Sequence, residues 1–104
     1  MITLLWEDHL PQNKTKTVFF RDNVKIGEIT LSPQSGNTYF AADSHFERTA
    51  SPEEKEVSWE MFCQEIQKRN LSLLLSCRAA QNFFAAHPEY SCLIASSTKT
   101  KPGF

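Results

Sequence analysis

The sequence predicts an α+β domain with one mixed central sheet, in the order β-β-β-α-β-α-β. Three observations carry this. The first half holds stretches rich in β-branched and aromatic residues, divided by turn residues. One long segment with apolar residues at helical spacing then follows a strong start signal at Ser51. Beyond it come a short continuous apolar run and a second helical stretch, the layout of a strand–helix–strand crossover.

"ITLLW" is a short strand, broken by Pro11 in "HLPQNKTK". "TKTVFFRD" and "VKIGEITLS" form a hairpin, because Asp22 and Asn23 tolerate the left-handed backbone of a tight turn. Val24, Ile26 and Glu28 are expected on one side of the returning strand, with Gly27 permitting a bulge. After the turn "PQSGN", "TYFAADSHF" is the third antiparallel strand.

Ser51 then caps a helix. Pro52 suits the first helical position, and Glu54 completes the Ser-x-x-Glu capping box. The helix runs to about Arg69, and Asn70 ends it. Trp59, Phe62, Cys63 and Ile66 form its apolar stripe, while Val57 and Met61 lie opposite, as surface residues or a second contact face. "LSLLLS" is a buried strand, "CRAAQNFFAAH" a short helix stopped by Pro88, and "SCLIAS" a last strand. Residues 1–95 make one domain, and 96–104 a polar tail.

With 104 residues, 40% hydrophobic and 22% charged, the chain suits one globular domain with a modest core. A formal net charge of −1 provides no basic field for nucleic acid and no polybasic membrane signal. No apolar run approaches the roughly 20 residues of a membrane span. "MITLLWEDHL" is too short and too acidic for a signal peptide. Cys63, Cys77 and Cys92 form an odd set without paired spacing, so neither a disulfide framework nor a zinc site is expected. Together these point to a reduced, cytoplasmic protein.

Cys77 stands directly after an apolar strand, and "HPEY" followed by "SCLI" begins ten residues later. This C-x9-HPEY-x-x-L-[IV] pattern resembles a short, single-domain subclass of the GNAT N-acetyltransferases. The hairpin "VFFRDNVKIGEITL" and the piece "ADSHF" extend the resemblance over roughly Val18 to Ile94. It implies an acyl-CoA N-acyltransferase fold that moves acetyl from acetyl-CoA to an amine. In that family glycines before the main helix let backbone N–H groups close around the cofactor's diphosphate, helped by the helix dipole. The matching positions here are "ASPEEK", Ala50 to Lys55, with no glycine. Pro52 removes a donor there, and Glu53 and Glu54 bring negative charge.

The resemblance makes Cys77 and His45 the catalytic candidates. A nucleophilic cysteine needs a stabilised thiolate, which a helix N-terminus or a cation such as Arg78 supplies; the alternative is a small apolar side chain at a strand end. His45 is a general-base candidate or an exposed strand histidine. Ser51, Lys55, Arg78 and Asn82 are the cofactor-binding candidates, Asn82 through a hydrogen bond to a cofactor amide. Asp43 is a partner for a substrate amine or, by preference, a solvated strand-end carboxylate; Phe83 is read as core without a proton to donate, and Cys63 and Cys92 as core. No metal ligand is expected. Two functions follow. One is a GNAT-like acetyltransferase with weakened or lost acetyl-CoA binding. The other is a non-catalytic domain of the same fold that meets a protein partner or a second copy.

Overall fold

The computed structural model describes residues 1–10 and 14–95. The elements are β1 (Ile2–Leu10), β2 (Lys14–Arg21), β3 (Val24–Ser35), β4 (Thr38–Phe46), α1 (Pro52–Lys68), β5 (Ser72–Leu75) and α2 (Arg78–Ala86), followed by a 3-10 turn over Pro88–Leu93. The α+β class and the mixed sheet are as the sequence predicts. The sheet has five strands in the order β1-β2-β3-β4-β5; the first four form an antiparallel meander and β5 runs parallel to β4. The tail predicted for 96–104, and Pro11, lie outside the described residues.

The strand count of the meander and the assignment of the last segment change. The meander has four strands, because "ITLLW" pairs with β2 from Ile2↔Arg21 to Glu7↔Lys16 and lays Ile2, Leu4 and Trp6 against the core. At the other end the described part of "SCLIAS", residues 91–95, is no strand. Pro88 opens a 3-10 turn that carries the chain to Leu93, and only Ile94 makes a single parallel bridge to Leu73. Ala95 N–H donates to Leu73 O at 2.7 Å.

Asp22 and Asn23 both take positive φ, 51° and 69°, which gives the hairpin the twist its strands require. The pairing then shifts from Phe19↔Gly27 to Phe20↔Lys25, so Ile26 is the extra residue of a bulge. This breaks the expected alternation. Ile26 turns into the core beside Ile29, three residues on, while Glu28 faces outward between Lys16 and Lys25. Gly27 is required for contact rather than φ: a Cβ there would sit 2.2 Å from the Phe46 ring.

α1 begins as predicted. Ser51 Oγ accepts the Glu54 N–H, and the Glu54 carboxylate accepts the Ser51 N–H. Asn70, at φ 58°, ends it in the left-handed region. Trp59, Phe62, Cys63 and Ile66 are all buried, with Phe19, Ile29, Leu31, Ala41 and Leu73 from the sheet and Ala80, Phe83 and Phe84 from α2. Met61 leans on this core, whereas Val57 is exposed. At the far end Arg69 lies 4.0 Å over the Trp6 ring and holds α1 to the edge strand. Among the described residues, no helix is long and apolar enough to cross a membrane.

Gly27→Ala is expected to lower unfolding stability by ~1–3 kcal/mol through overpacking against Phe46. In urea titrations, Gly27→Ala combined with Phe46→Leu should cost less than the sum of the single changes. Strict additivity would show that the ring does not set the requirement for glycine.

Candidate functional site

β4 and β5 pair for only four residues, from Thr38↔Ser72 to Ala41↔Leu75. Ser76 then closes the pairing, its Oγ donating to Ala41 O at 3.2 Å. β4 continues to Phe46 beside β3 alone, while the other chain turns away into α2. Glu47 N–H donates to Ile26 O, so by strand alternation the N–H groups of Ser44 and Phe46 face the side that β5 has left. The Ser44 N–H is taken by Asp43 Oδ1 at 2.9 Å.

Cys77 stands where β5 ends, as the N-cap of α2. Its backbone is extended, and Sγ accepts the Ala80 N–H at 3.4 Å. The side chain is half-buried against the core. Sulfur is a weak acceptor, so this cap is weaker than one a serine or aspartate would supply. Gln81 ties α2 back to the strand by donating to Leu75 O at 3.2 Å.

His45 does not converge on Cys77. It alternates with Phe46, whose ring stacks on the core residue Phe19, so the imidazole leaves the opposite face. It is 66% exposed and lies 3.5 Å from Glu47 Oε2. Asp43 is exposed on that same alternation. Arg78 and Asn82 are exposed neighbours one turn apart on α2. Ser51 and Lys55 are at the start of α1, with Lys55 exposed. Cys92, read as core, is exposed on the 3-10 turn, because that turn replaces the strand that would have buried it.

The start of α1 already holds an anion. Besides the Ser51 N–H, the Glu54 carboxylate receives Arg21 Nη1 at 2.7 and 2.8 Å on its two oxygens. Arg21 and the backbone of Ser51, in that order, hold the Glu54 carboxyl below its ordinary range. Arg21 comes from β2, more than thirty residues earlier, and nothing in its local sequence marks it as a partner of this helix. The geometry does not fit a diphosphate at this position, because Glu54 occupies the donors and the cation that one would use.

A second cluster joins α1 to the end of α2. His87 Nδ1 donates to Phe83 O at 3.0 Å, and Nε2 faces Glu56 Oε2 at 2.8 Å. The ring stacks on Phe83 with centroids 4.1 Å apart. The Phe83 carbonyl, and after it Glu56, raise the His87 pKa. Glu60 lies one turn beyond Glu56 and points to the same place. Sequence reasoning took His87 only as part of a helix stop. The available signal was its position four residues after Phe83, which puts the ring on the carbonyl that α2 leaves unpaired.

Two outcomes follow. The depressed Glu54 value contributes stability that is present above the ordinary carboxylate range and lost as pH falls through the folded value. Glu54→Gln should therefore melt below the native protein at neutral pH, with the difference beginning to narrow near the ordinary value of 4.5 and closing only as pH falls through the lower folded value. A constant difference at all pH values would exclude the ion pair as its source. Burial pushes the Cys63 thiol up to about 12. Mass spectrometry after iodoacetamide treatment should find Cys92 alkylated in the native protein and Cys63 only after denaturation.

No protein-family model matches this chain, and no curated protein matches it.

Proposed function

We propose that this domain is a GNAT-like N-acetyltransferase with weakened binding of acetyl-CoA. The observation that carries the reading is the parting of β4 and β5 after Ala41 and Leu75, beside Cys77. An extended, amide-bearing chain can add to a strand edge, where backbone groups supply the hydrogen bonds. The β4 edge beyond Ala41 offers such groups, and the exposed Arg78 and Asn82 stand on the helix that starts across from it. The reaction class would be aminolysis of a thioester: the amine nitrogen would form a C–N bond to the acetyl carbon as the C–S bond breaks, the amine proton leaving with the thiol, and the Phe46 N–H would be the strand donor to the developing oxyanion. Cys77 as an acyl carrier is the less favoured variant, since its Sγ already caps α2.

A second reading has its own support. Glu54 and Arg21 fill the start of α1, and a shallow groove next to them is lined by Pro52, Glu53, Glu56 and Val57. Val57 is 40% exposed within that acidic rim. This suits a non-catalytic domain that meets a protein surface carrying basic residues around an apolar side chain.

Calorimetric titration with acetyl-CoA separates the two. The transferase reading expects millimolar-range binding by the native chain. It expects several-fold tighter binding by Glu54→Gln, which releases Arg21 for phosphate. Absence of heat from both proteins at millimolar ligand would reject that reading and leave the contact domain.

A further inference from the structure

The cluster of Glu56, Glu60 and His87 has no part in the proposed transfer. One ligand atom from each residue lies within 4.8 Å of the others. The two carboxylates are one helical turn apart on α1, and the imidazole arrives from the end of α2. This is a mixed donor set, and its histidine is oriented before any ion arrives. Because Nδ1 donates its proton to Phe83 O, the neutral ring keeps its lone pair on Nε2, the atom that faces Glu56. A ring nitrogen held by a backbone carbonyl is the outer-shell arrangement usual for metal-bound histidine. Stacking on Phe83 fixes the plane of the ring as well.

The surrounding charge points the same way. Glu56 and Glu60 bring two carboxylates to the His87 ring, and Glu89 follows two residues after it in the chain. Three carboxylates therefore act on one small region. Among the described residues none of the three lies within ion-pair distance of a lysine or arginine; His87 is the cation available to them.

We propose that Glu56, Glu60 and His87 form a binding site for a divalent transition ion of the zinc type. Bonds of about 2.0–2.2 Å place tetrahedral ligand atoms ~3.4 Å apart. The present 2.8 Å between Nε2 and Glu56 Oε2 must then open by about 0.6 Å. Glu56 can give this, since its side chain is 53% exposed while His87 is held at 15%. The ion takes the place of the Nε2 proton, which is released to solvent when the ring was charged. Three protein ligands leave a fourth position toward solvent for water. Bound there, the ion clamps the first half of α1 to the end of α2.

Zn2+ is titrated into the full chain, with binding followed by calorimetry, the His87 ring nitrogens by 15N NMR, and the melting temperature by fluorescence. One equivalent should bind, the Nε2 resonance should move far more than Nδ1, and the melting temperature should rise with Zn2+ concentration. Glu60→Gln should weaken binding by at least about tenfold. It should melt like the native chain in EDTA, because Glu60 makes no ion pair among the described residues. His87→Gln should abolish the NMR and stability responses. A joint Cys77→Ser and Cys92→Ser variant should bind as the native chain does. Absence of binding at millimolar Zn2+ overturns the proposal. So does binding that survives Glu60→Gln and His87→Gln but disappears with the thiols.

Discussion

Phe83 is the side chain on which the arrangement of the second half depends. Its ring stacks on Trp59 of α1 at 5.4 Å, on His87 at 4.1 Å and on Tyr90 at 6.2 Å, and meets Phe84 edge-on at 5.6 Å. One aromatic thus joins α1, α2 and the 3-10 turn within the buried cluster. Pairs of this kind add roughly 0.5–1.5 kcal/mol each beyond their buried area. The consequence is positional. α2 can leave the sheet after Ser76 because Phe83 anchors it against α1, and that departure is what leaves β4 unaccompanied beyond Ala41. The same anchor sets His87 facing Glu56.

The start of α1 shows two uses of a helix N-terminus in competition. Unpaired N–H groups and the dipole favour an anion, which a protein can supply from its own chain or take from a ligand. Here Glu54 supplies it, and Arg21 neutralises Glu54 from the neighbouring strand. The helix becomes well anchored to β2 and loses its attraction for phosphate. Stability and anion binding draw on the same few donors, so the capping box and an external anion cannot both use this helix end.

Most of the fold was legible because its signals are local. The capping box from Ser51 to Glu54, the apolar stripe from Trp59 to Ile66, and the Asp22–Asn23 turn each follow from a few adjacent residues. The first strand was undervalued and the last overvalued for one reason. Strand status depends on a partner, and neither "ITLLW" nor "SCLIAS" contains its partner's position. The Ile26 bulge was foreseen through Gly27, yet its effect was not, since one extra residue exchanges the faces on either side of it. For the site, Cys77 at the junction of β5 and α2 was visible in the sequence. The separation of His45 from it was not, because the face of β4 on which each residue emerges is set by pairing with β3. Arg21 meets Glu54, and His87 meets Glu56, each across more than thirty residues, so neither pairing leaves a local trace.

The order of the strands also bears on how the chain assembles in time. Each of the first four strands pairs with its immediate neighbour in sequence, so the meander closes through short loops with little entropy to overcome. β5 differs. Ser76 reaches Ala41 across 35 residues, a connection that contains the whole of α1. A four-residue strand offers few hydrogen bonds in return. The meander and α1 are therefore suited to serve as a template on which β5 and α2 dock late. The seam between β4 and β5 is accordingly the long-range closure of the sheet, made across 35 residues of intervening chain rather than across a turn.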